Sequence, residues 1–119
     1  MSAFRRPVQA FLFVVALFVL AGCGRDPAAL RAEVGSAKVV LLSTAWCGYC
    51  RKLRGDLASW GITYDEFDVE KSQEGRNAYA LVGGRGVPIL LIGDEVVHGY
   101  SPQRARDLIA AAGVGTARD

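Results

Sequence analysis

The sequence predicts an α/β fold in which helices flank one four-stranded mixed sheet, with the elements in the order β-α-β-α-β-β-α. The continuous apolar run at residues 39–42 is typical of a strand that is buried on both faces, and residues 87–92 indicate a further strand. Apolar residues at helical spacing separate and follow these runs. A strand–helix–strand unit with a right-handed crossover, followed by a hairpin and a helix, assembles these elements into one sheet.

The first helix follows the first strand after a segment that contains two cysteines. It is predicted to run from Cys50 to about Trp60, because Leu53, Leu57 and Trp60 recur at helical spacing. Gly61 ends this helix in the usual position of a left-handed cap.

The second strand and the second helix come next. Residues 63–69 include three large aromatic or aliphatic side chains and are predicted as a strand. Ser72 is predicted to cap a helix that runs to about Val82, with Ala78, Leu81 and Val82 facing inward.

The last three elements are a hairpin and a closing helix. Residues 87–92 are the third strand, and a tight turn at residues 93–94 leads into a fourth strand at residues 95–98. Ser101 caps the last helix, a proline takes its first position, and Gly113 ends it.

The first 22 residues have the layout of a secretory signal peptide. Arg5 and Arg6 precede a short apolar run, residues 10–22, that ends in small residues. The alternative is a signal anchor that stays in the membrane. Spanning a bilayer takes roughly 20 apolar residues, so the run is short for that role.

Leu20-Ala21-Gly22-Cys23, at the end of this run, resembles the lipobox of bacterial lipoproteins. The resemblance implies that Cys23 is diacylated on sulfur, becomes the new N-terminus after cleavage and is then acylated there. Several acyl chains hold a protein firmly on a membrane, whereas one does so only marginally. The predicted location is therefore the cell envelope, facing the periplasm or the exterior. An ordinary signal peptide with an unmodified cysteine is the alternative.

Cleavage before Cys23 changes the composition of the mature chain. Residues 1–22 carry two arginines and no acids, so Lys and Arg fall from 14 to 12, which equals the 12 Asp and Glu. A formally neutral chain has no basic field to steer it to nucleic acid. We expect a lipidated Cys23 with a tether to residue 37 and a short helix within it, a domain over residues 38–113, and a tail over residues 114–119.

Cys47-Gly48-Tyr49-Cys50 lies where a buried strand ends and a helix begins. The free amides and partial positive charge of a helix N-terminus favour a reactive thiolate. Cys47 is therefore predicted to be exposed and to attack first, whereas Cys50, one turn into the helix, is covered and acts second. The spacing allows the two sulfurs to close a redox-active disulfide, as exchange through a mixed disulfide requires.

Three other uses of this cysteine pair stay open. Half of a zinc site would need two more ligands, and His98 is the only histidine. A purely structural disulfide would close a ring too small to gain much entropy. A tethered module that binds a soft metal such as Cu(I) is the alternative from a different functional class.

Residues 43–50, Ser-Thr-Ala-Trp-Cys-Gly-Tyr-Cys, resemble the active-site segment of glutaredoxins. Gly84-Arg85-Gly86-Val87-Pro88 resembles the Arg-x-Val-Pro element of that family, whose proline is cis. The resemblance implies a thioredoxin-like, glutaredoxin-type βαβ-αββα fold and thiol–disulfide oxidoreductase activity. It also implies that Pro88 packs beside the catalytic sulfurs and that the Val87 backbone pairs with the substrate like an added strand.

The chain departs from the glutaredoxin pattern at two places that bear on glutathione. Thr44 stands where these proteins usually carry a lysine that contacts a glutathione carboxylate. Gly99-Tyr100-Ser101-Pro102 replaces a glycine followed by an acidic pair and resembles redoxins that are reduced by protein partners. Arg85 and the helix start at Ser101 remain as groups that hold a carboxylate. We therefore expect no bound cofactor and disfavour glutathione.

Aromatic residues complete the predicted substrate site. Trp46 and Tyr49 flank the cysteines and are interpreted as an apolar collar that grips a partner chain, with rim packing as the alternative. The expected partners are protein thiols or disulfides outside the cytoplasm. The direction of exchange stays open, because Gly48 is thioredoxin-like and Tyr49 is glutaredoxin-like. The full predicted substrate-binding set is Trp46, Tyr49, Arg85, Val87, Pro88, Gly99, Tyr100 and Ser101.

Replacing Cys23 tests the predicted anchor. Cys23→Ser removes the sulfur that receives the lipid, so we expect a membrane-bound protein to become soluble or to stay unprocessed. Cell fractionation measures this, and mass spectrometry of the mature protein identifies the modification. A mature protein that carries an unmodified Cys23 contradicts the prediction.

Overall fold

The computed structural model describes residues 26–114, so the predicted signal peptide, Cys23 and residues 115–119 lie outside it. Four strands form one sheet in the order β2-β1-β3-β4. These strands are β1 (Val39–Ser43), β2 (Asp65–Asp68), β3 (Ile89–Ile92) and β4 (Glu95–His98). β1 runs parallel to β2 and antiparallel to β3, and β3 runs antiparallel to β4. The predicted four-stranded mixed sheet is confirmed.

Helices cover both faces of the sheet. In the described chain they are α1 (Pro27–Val34), α2 (Gly48–Ser59), α3 (Gln73–Leu81) and α4 (Pro102–Ala111). One core packs the sheet against α2 and α4, and the other packs it against α1 and α3. All five residues of β1 are buried, as expected for a central strand covered on both sides. No helix within residues 26–114 combines the length and apolar character that crossing a membrane demands.

Several element boundaries differ from the prediction for local reasons. α2 starts at Gly48, two residues early, because the Cys47 sulfur caps it by accepting a hydrogen bond from the Cys50 amide. β3 starts at Ile89, since Pro88 has no amide hydrogen to give to the ladder. β2 is shorter than residues 63–69 because only residues 65–68 of that range pair with β1.

The inward face of α3 was predicted partly wrong. Ala78 and Val82 are buried, but Leu81 is 39% exposed. Gly75 is buried in its place, at the point where α3 crosses the end of β2. A glycine has no side chain to contribute to a hydrophobic pattern, so that pattern could not predict this contact.

The interpretation of residues 24–37 as a tether is wrong for the part that the structure describes. α1 packs on the domain, and its Val34 is only 2% exposed. The Arg31 guanidinium donates to the backbone carbonyls of Ala37 at 2.7 Å and of Gly93 at 2.5 Å, which fixes α1 to the β3–β4 turn. Val114, assigned to the tail, is half-buried against the core, and its amide donates to the Ile109 carbonyl at 3.2 Å. The domain therefore extends beyond residues 38–113 at both ends.

Two glycine-to-alanine substitutions test the packing of α3. A Cβ at Gly75 would lie 2.4 Å from the Asp68 carbonyl oxygen, which is backbone and cannot move aside. Overpacking of this kind costs about 1–3 kcal/mol, so Gly75→Ala should lower the free energy of unfolding by that amount.

Gly55 in α2 is the matched control, because a Cβ there meets nothing within 4 Å. Gly55→Ala should raise the free energy of unfolding by about 0.5–1 kcal/mol, since alanine is the better helix former. Urea unfolding of both variants measures the two effects. A Gly75→Ala protein as stable as the wild type contradicts the described packing.

Candidate active site

Cys47 lies between the first turn of α2 and the start of β3. Its sulfur accepts a hydrogen bond from the Cys50 amide at 3.1 Å, and its thiol donates to the Val87 carbonyl at a sulfur–oxygen distance of 3.7 Å. Only 6% of Cys47 is exposed, so this sulfur is less open than the sequence led us to expect. The order of exposure still matches the prediction, because Cys50 has no exposed surface at all.

Cys50 sits one turn into α2, in the reduced state like Cys47. Burial raises the pKa of its thiol to about 11, and the hydrogen bond with Cys47 adds to the increase. A backbone hydrogen bond with Thr44 and the positive charge of Arg54 act in the opposite direction. Cys50 is therefore a protonated thiol at neutral pH, which suits a residue that reacts second.

Pro88 closes the other side of the site. The Val87–Pro88 peptide bond is cis, as the resemblance implied, and Pro88 is buried. The Gly99 amide donates to the Pro88 carbonyl at 2.9 Å, and Gly99 has a φ of 82°, which favours glycine. These contacts join the ends of β3 and β4 next to the Cys47 sulfur.

Two aromatic groups stand on the rim of the site. Trp46 is 72% exposed, and its indole N–H donates to the Glu70 carboxylate at 2.5 Å. Tyr49 is 60% exposed and stacks on Tyr100, with ring centroids 5.4 Å apart. Both predicted collar residues therefore project into solvent while a neighbour holds each of them in place.

A groove of about 480 Å³ runs beside Trp46 and Val87. Its floor includes Thr44, which is 2% exposed and whose hydroxyl has no hydrogen-bond partner among the described residues. Glu70 is the one charged side chain among the described residues that line it. The lining residues are Thr44, Trp46, Val69, Glu70, Tyr79, Gly86 and Val87.

Of the eight predicted substrate-binding residues, Trp46 and Val87 line this groove and the other six do not. Arg85 is exposed in the loop before β3 and is not among the lining residues. Ser101 is the N-cap residue of α4, but its side chain makes no capping hydrogen bond and faces a different surface groove with Pro102. His98 is exposed on β4.

The sequence reasoning missed two parts of the site. Tyr79 lines the groove and packs so tightly under Gly84 that a Cβ there would lie 2.3 Å from the ring. The Gly-Gly pair at residues 83–84 was the available signal. Glu66 on β2 was also missed. It accepts hydrogen bonds from Arg54 at 2.7 Å and from Ser43 at 2.6 Å.

Within residues 26–114 no three His, Cys, Asp or Glu side chains come together in a way that could hold a metal ion.

Comparisons with known proteins agree with this geometry. Residues 39–97, which include Cys47, Cys50 and Pro88, match the glutaredoxin family model. Two proteins named as glutaredoxins, from two strains of Mycobacterium tuberculosis, are 34% identical to this chain over 61 residues. The aligned region covers 50% of this chain and 73% of each relative.

Solved structures show the same fold. Reduced glutaredoxin C1 from Populus tremula x tremuloides has a TM-score of 0.60 and 25% identity, covering 77% of this chain and 90% of its own. A mutant of the thioredoxin-like protein BC3987 has a TM-score of 0.59 and 26% identity, covering 61% and 95%. The buckwheat glutaredoxin–glutathione complex has a TM-score of 0.57 and 21% identity, covering 75% and 97%.

Serine substitutions test the roles of the two cysteines. Cys47→Ser removes the sulfur that caps α2 and faces Val87, so it should abolish disulfide exchange. Cys50→Ser should leave a protein that traps its partners as mixed disulfides, because the resolving thiol is gone. Non-reducing gels of both variants, incubated with a disulfide-containing protein, measure this. If Cys47→Ser traps partners and Cys50→Ser does not, the roles are reversed.

Proposed function

The chain belongs to the glutaredoxin family of thiol–disulfide oxidoreductases, and we propose that it exchanges disulfides with protein cysteines through Cys47 and Cys50. The main support is the groove beside Trp46 and Val87, which has the anion Glu70 as its charged lining residue; the Val87 carbonyl also accepts from the Cys47 thiol. An acidic groove suits an uncharged stretch of polypeptide better than a small anionic thiol.

Exchange begins when the Cys47 thiolate attacks one sulfur of a substrate disulfide. The second substrate sulfur leaves as a thiolate and takes a proton from water, and a mixed disulfide to Cys47 remains. Cys50 then attacks the Cys47 sulfur, which releases the reduced substrate and forms the Cys47–Cys50 disulfide. The reverse sequence oxidises a substrate dithiol by the same contacts.

Substrate choice follows from what surrounds Cys47. Holding glutathione requires placed positive charge and amide donors for its carboxylates. Thr44 is neutral and buried on the groove floor, and Arg85 lies outside the groove lining. A protein substrate draws instead on strand-like pairing at the Val87 backbone and on apolar contact with Trp46 and Tyr49.

We also propose that the enzyme works outside the cytoplasm on a bacterial membrane, held by a lipid on Cys23. The support is the Leu20-Ala21-Gly22-Cys23 sequence behind a short apolar run and two arginines. Its partners are then cysteines of exported proteins, together with a redox protein that restores the starting state of the pair.

A side-by-side rate comparison tests substrate choice. The Cys23→Ser protein should exchange with a peptide or protein disulfide much faster than it removes glutathione from a mixed disulfide. A lost charged contact costs roughly 1.5–3 kcal/mol, or about ten- to a hundredfold in affinity. Comparable rates on the two substrates, or ready reduction of the Cys47–Cys50 disulfide by glutathione, contradict the proposal.

Two substitutions at Thr44 sharpen the comparison. Thr44→Lys should raise the glutathione-dependent rate about tenfold by adding a cation to the groove, while exchange with protein disulfides stays nearly unchanged. Thr44→Val is the matched control, because it keeps the shape, removes the unpartnered hydroxyl and adds no charge. It should raise neither rate.

A further inference from the structure

Arg54 on α2 forms an ion pair with Glu66 on β2, directly behind the cysteine pair. The Arg54 Nε donates to Glu66 Oε2 at 2.7 Å, and Arg54 Nη2 donates to the Ser43 hydroxyl at 3.3 Å. The Ser43 hydroxyl donates in turn to the same Glu66 oxygen at 2.6 Å. Each side chain of the ion pair is about one-third exposed, so this triangle is only partly desolvated.

The hydrogen-bonded group of Arg54, Glu66 and Ser43 is connected to Cys50 through the end of β1. Arg54 Nη2 lies 3.5 Å from the Thr44 carbonyl oxygen, and the Thr44 backbone lowers the pKa of the Cys50 thiol. Cys50 and Arg54 are one helical turn apart on α2, so they lie on the same side of that helix.

The charged and titratable groups around Cys50 come from two elements. Cys47, at the start of α2, raises the pKa of Cys50, and the charge of Arg54, on α2, lowers it. Glu66 on β2 and Tyr64 just before it raise the pKa of Arg54. The negative charge of Asp68, at the end of β2, acts to raise the pKa of Glu66. Arg54 is the one cation among these groups in the described chain.

We propose that Arg54 is a positioning residue for the resolving step of exchange. Its guanidinium, fixed by Glu66 and Ser43 at the Thr44 carbonyl and one helical turn from Cys50, stabilises the thiolate that Cys50 must form. Glu66 limits this effect, because its negative charge compensates part of the positive charge of Arg54.

The resolving step is the second half of thiol–disulfide exchange. Cys50 loses its proton to water, and its sulfur attacks the Cys47 sulfur of the mixed disulfide. The bond between Cys47 and the substrate sulfur breaks, and the substrate leaves with that electron pair as a thiolate, which water then protonates. Cys50 is a buried thiol with a raised pKa of about 11, so the fraction of thiolate limits this step at neutral pH.

The two members of the ion pair have opposite expected effects. Arg54→Gln removes the positive charge that lowers the pKa of Cys50, so the resolving step should slow. Glu66→Gln keeps a carbonyl oxygen that accepts from Arg54 but removes the compensating charge, so the resolving step should keep its rate or accelerate. A purely structural role of the pair would make both variants slow.

Stopped-flow release of thionitrobenzoate measures the step. The full chain carries Cys23→Ser, so that only Cys47 and Cys50 react, and it receives one equivalent of 5,5′-dithiobis(2-nitrobenzoate). The first, bimolecular phase reports attack by Cys47, and the second, unimolecular phase reports resolution by Cys50. Each variant is followed from neutral to strongly alkaline pH.

We expect Arg54→Gln to slow the second phase up to about threefold at neutral pH and to move the pH at which its rate levels off upward. A Cys50 pKa raised by one unit lowers the thiolate fraction about tenfold, but the more basic thiolate attacks about threefold faster. Arg54→Lys keeps the charge and should stay near the wild-type rate. Arg104→Gln is the matched control, because it removes an exposed arginine on α4, away from the site, and should leave both phases unchanged.

Two results overturn the proposal. One is a second phase in Arg54→Gln that equals the wild type at every pH. The other is a Glu66→Gln protein that slows as much as Arg54→Gln, because the pair then acts by holding the fold. Neither result bears on which substrates the enzyme accepts, since the probe is the same small disulfide throughout.

Discussion

The hydrogen bond from the Cys50 amide to the Cys47 sulfur is the contact on which the site depends. It makes the reactive sulfur the cap of α2, so the helix begins where the chemistry takes place. That start is fixed in space because β1, which precedes it, is buried along its whole length and pairs on both edges. The helix places Cys50 one turn further in, where no solvent reaches it. The difference between the two thiols is thus a consequence of where the strand ends.

The rim of the site is arranged before any partner binds. Trp46 is held by Glu70, and Tyr49 is stacked on Tyr100, whose hydroxyl donates to Asp56 at 2.5 Å. Ordering a flexible side chain on binding costs about 0.5–1.5 kcal/mol, and these contacts meet much of that cost in the free protein. Two large exposed aromatic side chains that are already oriented favour a polypeptide partner that covers both of them.

The sequence predicted the parts of the structure that local patterns encode. The apolar runs indicated strands, and Gly61 and Gly113 marked helix ends. The spacing of Cys47 and Cys50 correctly indicated that Cys50 is the more covered sulfur, but the expectation of an exposed Cys47 was wrong, because both are buried. It failed where a contact joins distant residues. α1 has few large apolar side chains, and its attachment depends on Arg31 reaching Gly93, 62 positions away. The Arg54–Glu66 ion pair likewise joins a helix to a strand, and neither residue belongs to a recognisable pattern.

The docking of α1 also determines which way the molecule faces. Pro27, at the start of α1, lines one surface groove with Gly93 and Glu95 of the β3–β4 turn. That turn is at the far end of β3 from Pro88, so the chain enters the domain at the pole opposite the two sulfurs. Asp26 is three residues beyond Cys23, and an extended chain of that length spans at most about 11 Å. With the proposed lipid on Cys23, the domain would lie close to the membrane and its two thiols would face away from it.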